Sequence, residues 1–133
     1  MRVIKTAKPF IFLVDDDYDD RQLFSEALEA IKMDYRITTF TNGVDLMANL
    51  IDPSTELPNY IFLDLNMPLM NGEECLDDIR GELNFANIRV IIYSGYYDEE
   101  EVNRLLNKGA DQYLQKPKSF KELKIQIENC FSA

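Results

Sequence analysis

The chain has 133 residues, 46% of them hydrophobic and 29% charged, with a formal net charge of -10; this fits one globular domain burying about two-thirds of its unfolded surface. That acidic balance argues against direct binding to DNA, RNA or anionic membrane, because phosphate backbones are held by clustered Lys and Arg. Histidine is absent, which excludes His-based acid–base catalysis, His metal ligands and an internal phosphohistidine, and no glycine-rich phosphate loop appears.

Phe10–Val14 (FIFLV) is a continuous apolar run suited to a central strand covered on both faces. Over residues 19–31, Leu23, Phe24, Ala27, Leu28 and Ile31 form a helical stripe, with Asp19 and Asp20 in the first turn. Tyr35–Phe40 is β-rich and fits an outer strand. Thr41-Asn42-Gly43 then turns into a short helix ending near Ile51. Tyr60–Leu63 reads as the second central strand, followed by a loop through Gly72 and a helix to about Arg80. Val90–Tyr93 is a third buried strand. Asp98 caps the next helix with Glu101 placed for a capping box, and Gly109 is its left-handed stop. Asp111–Gln115 supplies a fifth strand, and Ser119 with Glu122 opens a last helix with Phe120, Leu123, Ile127, Cys130 and Phe131 inward. Strands alternating with helices imply a parallel sheet with crossover helices. Residues 1–133 are expected to form a single domain, with 1–8 a short N-terminal tail and no output domain.

No apolar run approaches the ~18 residues of a membrane span. The basic start, with Arg2, Lys5 and Lys8, lacks the apolar region of a signal peptide, so the expected location is cytoplasmic. Cys75 and Cys130 have no metal-ligand spacing and read as buried, reduced thiols.

The polar residues that stop the strands carry the chemistry. Phe10–Val14 ends in Asp15, Asp16 and Asp17; Tyr60–Leu63 ends in Asp64; Val90–Tyr93 ends in Ser94; Tyr113–Gln115 ends in Lys116-Pro117. Open α/β sheets bind ligands outside the carboxyl ends of their strands. Asp15, Asp16 and Asp64 gathered there would repel one another, each raising its neighbours' pKa. A hard divalent cation such as Mg²⁺, which takes oxygen ligands, relieves that repulsion. Lys116 is a compact cation able to neutralise an ionised or phosphorylated Asp64. Ser94 offers a hydroxyl to a phosphate oxygen, and Gly95 leaves the approach open. Singly, these residues are explained as an acidic loop, a helix cap, a turn serine and a loop lysine. Together they point to Mg²⁺ and phosphoryl chemistry.

The segments VDDD (Val14–Asp17), LDLNMPLMNG (Leu63–Gly72), YSG (Tyr93–Gly95) and GADQYLQKP (Gly109–Pro117) cover nearly the whole chain in order. In this the chain resembles the response-regulator receiver domain, in its stand-alone, chemotaxis-type form. The resemblance implies a flavodoxin-like (βα)5 α/β fold, doubly wound, with a parallel five-stranded sheet in the order 2-1-3-4-5. It implies that Asp64 accepts a phosphoryl group from a sensor histidine kinase or a histidine phosphotransfer protein in a two-component phosphorelay. Mg²⁺ would be held by Asp15, Asp16, Asp64 and the backbone carbonyl of Asn66. Ser94 and Lys116 would bind the phosphoryl oxygens, and Tyr113 would be a switch aromatic moving with Ser94. A cis peptide bond before Pro117 would help aim Lys116. Output would follow from partner binding through the fourth helix, fifth strand and fifth helix, or from relay of the phosphoryl group.

Three features depart from the pattern. Asp17 is a third consecutive acid without an assigned role. Lys118 follows Pro117 where the family often has an aromatic, and Phe120 is expected to fill that space. Tyr96 lies close enough to Ser94 to shield the phosphoryl group from water. Two other classes remain open: a Mg²⁺-dependent aspartyl-phosphate phosphohydrolase and a phosphorylation-independent binding module. Haloacid-dehalogenase-type hydrolases need a second Asp two residues after the nucleophile, where this chain has Asn66. A degenerate receiver usually lacks an acid, Ser/Thr or Lys that this chain retains.

Overall fold

A computed structural model describes residues 8–131; of the expected N-terminal tail, only Lys8 falls within that range. Five strands alternate with five α-helices: β1 (Phe10–Val14), α1 (Tyr18–Ala30), β2 (Arg36–Phe40), α2 (Gly43–Ile51), β3 (Tyr60–Leu63), α3 (Gly72–Arg80), β4 (Arg89–Ser94), α4 (Glu99–Asn107), β5 (Gln112–Gln115) and α5 (Phe120–Phe131). A short 3₁₀ turn at Leu83–Phe85, not anticipated from the sequence, precedes β4. All strand pairings are parallel, and the order is β2-β1-β3-β4-β5. This is the doubly wound arrangement expected.

The central strands are apolar along their interiors, with only Arg89 and Ser94 at the two ends of β4 polar, because both faces are covered. On one face Phe12, Val14, Ile61, Leu63, Val90 and Ile92 pack against Leu46 and Leu50 of α2, Leu76 and Ile79 of α3 and Leu105 of α4. On the other, Ile11, Leu13, Phe62, Ile91 and Tyr93 meet Phe24, Ala27 and Leu28 of α1 and Leu123 and Ile127 of α5. The strict alternation follows from the two-residue period of a strand. Two residues of the expected stripes stand further out than predicted: Leu23 and Phe120 are 44% and 38% exposed. Both line an open cavity between α1 and the start of α5, beside Lys116 and Pro117.

One clamp fixes β4 against the β5 side. The Arg80 guanidinium donates to the carbonyls of Gly109 (2.8 Å) and Ile88 (2.9 Å) and to Asp111 Oδ2 (2.9 Å), while Asp111 Oδ2 also accepts from the Val90 N–H at 2.8 Å. Gly109 is required on two counts. Its φ is +113°, and a Cβ there would approach Arg80 Cγ to 2.8 Å. Cys75 is buried and Cys130 half-buried, both unbridged. Burial pushes their thiols up to about 12 and about 11, so neither is a reactive thiolate at neutral pH.

Candidate functional site

The sheet register brings the four polar strand ends together. Val14 pairs with Leu63, Leu63 with Ile92, and Ser94 with Gln115. The ladders then run one step past the strands. The Asp15 N–H donates to the Phe40 carbonyl at 3.0 Å, the Asp64 N–H to the Val14 carbonyl at 3.0 Å, and the Lys116 N–H to the Ser94 carbonyl at 2.7 Å. The functional side chains therefore leave a backbone held by the sheet, not by mobile loops.

Asp15, Asp16 and Asp64 each place a carboxylate oxygen within 4.8 Å of the others. Asp15 and Asp64 are buried, at 1% and 6% exposure, while Asp16 faces solvent. The Lys116 ammonium lies 2.7 Å from Asp15 Oδ2, 2.8 Å from Asp20 Oδ2 and 3.6 Å from Asp64 Oδ2. The contact to Asp15 is an ion pair off the angle of a hydrogen bond, so the buried Asp15 Oδ2 has no hydrogen-bond partner. A buried carboxylate oxygen without a donor, facing two further carboxylates, suits a hard cation. The donor set is all oxygen, as Mg²⁺ or Mn²⁺ requires.

Burial pushes the Asp64 carboxyl up to about 6; Lys116 opposes this, the Asp15 charge adds to it, and the backbone N–H groups of Asn66 and Leu65 oppose it again. Burial acts to lower Lys116, but Asp15, Asp20 and Asp64 outweigh it and hold the ammonium above its ordinary range. The cluster thus keeps a charged lysine and a carboxylate strained toward protonation, a pattern typical of functional sites.

The segment after β1 is a chain of hydrogen bonds. Asp15 Oδ1 accepts from the Asp17 N–H at 3.0 Å, Asp17 Oδ1 accepts from the Asp20 N–H at 3.1 Å, and Arg21 donates to the Asp15 carbonyl at 2.9 Å. Asp17 is therefore the N-cap of α1. Asp20, read from sequence only as a first-turn acid, is a direct partner of Lys116. After β3, Asn71 and Glu74 form a capping box at α3, with bonds of 2.9 and 3.0 Å. Gly72 lets α3 touch the end of β3: a Cβ there would stand 2.2 Å from the Asp64 carbonyl oxygen. Asn66 is exposed beside Asp64.

Ser94 is buried, at 1% exposure, and its Oγ accepts from the Tyr96 N–H at 3.2 Å. A Cβ on Gly95 would meet nothing within 4 Å, so the space over the site is open there. Tyr96 is 58% exposed. Tyr113 is half-buried, and its hydroxyl donates to the Tyr96 carbonyl at 2.5 Å. The expected cis bond before Pro117 is corrected by the structure: there is no cis peptide among the described residues. The trans form is intrinsically favoured by about 0.5–1 kcal/mol, and Lys116 reaches the carboxylates from it.

Residues 11–128 match the response regulator receiver domain. The chain belongs to that family. It is 32% identical to a probable chemotaxis protein CheY of Rhizobium etli, over 92% of each chain. Among solved structures it resembles the phosphorylated cyanobacterial phytochrome response regulator RcpA, with 26% identity, a TM-score of 0.84 and 93% and 91% of the two chains covered. It also resembles the Mn²⁺-bound form of response regulator Rcp1, with 27% identity, a TM-score of 0.82 and 91% and 90% covered. The receiver spans only 12% and 8% of the lengths of two curated sensor and hybrid histidine kinases that it also matches. It is a signalling domain of the two-component type, and no helix among the described residues is long and apolar enough to cross a membrane.

Proposed function

We propose that this receiver takes a phosphoryl group onto Asp64 from a histidine kinase or histidine phosphotransfer protein, with Mg²⁺ as cofactor, and then switches partner binding or relays the group. The observation that carries this reading is the cluster of Asp15, Asp16 and Asp64 oxygens within 4.8 Å of one another, with the Lys116 ammonium 3.6 Å from Asp64. The cation would be held by Asp15, Asp16, Asp64 and the Asn66 carbonyl. When bound it supplies charge neutralisation at the transferring group.

The protein's own residues do the rest. Ionised Asp64 attacks phosphorus through a carboxylate oxygen as the P–N bond of the donor phosphohistidine breaks, the electron pair leaving with the imidazole. Lys116 offsets charge gathering on the equatorial oxygens, and Ser94 Oγ–H donates to one of them. Drawing Ser94 toward the phosphoryl group breaks its bond to the Tyr96 N–H, and Tyr113, held on the Tyr96 carbonyl, is the aromatic that responds. Gly95 and Tyr96 set water access, so the domain promotes its own transfer and later hydrolysis without acting as a turnover enzyme. The setting is the cytoplasm, where kinases of this type present their phosphohistidine. The acidic surface does not favour nucleic acid.

The test is the intact mass of the protein after incubation with acetyl phosphate, with and without Mg²⁺. A gain of one phosphoryl group that needs the metal and is absent in Asp64→Asn is expected. A gain that persists in Asp64→Asn would refute the assignment.

A further inference from the structure

Lys116 is shared between more carboxylates than phosphoryl transfer requires. An ammonium has three donors, and its aligned hydrogen bond in this cluster goes to Asp20 Oδ2, at 2.8 Å. Asp20 lies outside the carboxylate group suited to a cation. Its side chain has no part in capping α1, because Asp17 does that. Asp17 instead delivers it: the cap bond that the Asp20 N–H donates to Asp17 Oδ1 fixes the turn from which Asp20 reaches Lys116. The side chains of Lys116 and Asp20 are 16% and 33% exposed, and the pair borders an open cavity of about 80 Å³ with Leu23, Pro117 and Phe120. A neutral isostere of Asp20 fits there without a packing defect.

We propose that Asp20 is a positioning residue for phosphoryl transfer, holding the Lys116 ammonium on the α1 side of the resting site and competing for it with the phosphoryl group. This rests on the reading of Asp64 as phosphoacceptor. In the resting site the ammonium stands 3.6 Å from Asp64, beyond hydrogen-bonding reach, and about as close to Asp20 as to Asp15. A phosphoryl group on Asp64 adds strong negative charge on the side where Lys116 is not bonded. A cation ligated by Asp15 removes one competitor for the ammonium and leaves Asp20 as the other. Its charge also cancels part of the lysine's field at Asp64 and repels an incoming phosphodonor. Asp20 therefore lowers the rate at which the site loads.

Two measurements on the full chain test this. In metal-free protein the ¹⁵N signal of the Lys116 ammonium is expected to be visible, protected by its ion pairs to Asp15 and Asp20, and to shift and exchange faster in Asp20→Asn. An unchanged signal in that variant would overturn the proposal. At saturating Mg²⁺, the maximal loading rate with acetyl phosphate is expected to rise about fivefold in Asp20→Asn, the scale of a partly exposed ion pair, and to return toward wild type in Asp20→Glu. An unchanged or slower rate in Asp20→Asn overturns the competition. If wild type itself gains no phosphoryl group, the reading of Asp64 fails and the competition falls with it. The ammonium signal still decides whether Asp20 holds Lys116.

Discussion

Two clusters of charge on this molecule behave in opposite ways. Between α3 and α4, signs are matched and water is near: Glu73 meets Arg104 and, at 2.7 Å, Lys108, while Lys108 also reaches Asp77 at 3.2 Å. Hydrogen bonds from Arg104 and Lys108 hold the Glu73 carboxyl below its ordinary range. At the strand ends, Asp15 and Asp64 share Lys116 with Asp20 of α1, Asp16 stands beside the first two, and burial pushes Asp64 up to about 6. The first cluster suits its own groups; the second carries an excess of negative charge, with the buried Asp15 Oδ2 left without a hydrogen-bond donor. A carboxylate kept against its preference by a rigid sheet marks the working end of the molecule, whereas a matched network at the surface contributes little.

The contrast is sharpened most by Gly72, which presses α3 against the backbone that presents Asp64. A Cβ there would come within 2.2 Å of the Asp64 carbonyl oxygen and 2.9 Å of Leu65 Cα, both backbone atoms that cannot turn aside. Gly72→Ala is expected to lower stability by about 2–4 kcal/mol and to reduce phosphoryl loading with it. Urea unfolding and intact mass read the two effects. A variant as stable as wild type would mean that the strand end is not rigidly held.

The next effect concerns the strain at Asp64 itself. In the folded, metal-free chain this carboxyl keeps its proton to about pH 6, whereas an unfolded Asp loses it near pH ~4. The folded state binds more protons across that window, so this group's contribution to stability falls as pH rises from about 4 to about 6. In EDTA at pH 7, Asp64→Asn should therefore be more stable than wild type by about 2 kcal/mol, a gap that closes toward pH ~4. Saturating Mg²⁺ should narrow or reverse the gap at pH 7, because the cation binds the ionised carboxylate that the variant lacks. A wild type already more stable than Asp64→Asn in EDTA would remove the claim that Asp64 is strained.

How much of this was legible in sequence follows the same division. An apolar strand that stops at a charged residue is a local signal, so Asp15, Asp64, Ser94 and Lys116 could be gathered once the strands were taken as parallel neighbours. The contact between Asp20 and Lys116 was not legible, because it joins residues 96 apart and an acid in the first turn of a helix already has a sufficient local explanation. Asp17 was visible but ambiguous, since a third acid in a row hides which one caps α1. The Asn71–Glu74 capping box was legible by its spacing but straddles the junction of the segments read as loop and helix, Asn71 in the first and Glu74 in the second. The expectation of a cis bond before Pro117 came from resemblance alone and did not survive; nothing in the residues around it demanded the bond.

The smallest effect belongs to the matched cluster. Replacing Glu73 by Gln removes the charge that Arg104 and Lys108 share, yet each cation keeps a second carboxylate: Glu101 lies 3.8 Å from Arg104, and Asp77 is 3.2 Å from Lys108. The Glu73 and Lys108 side chains are 28% and 35% exposed, so water takes over what the pair loses and salt already screens it. Glu73→Gln should leave the urea midpoint unchanged within error and the loading rate within about twofold. A loading rate that changes more than Asp20→Asn changes it would show that the α3–α4 surface is coupled to the strand-end site. The two clusters would then be parts of one device, and the distinction between them would fail.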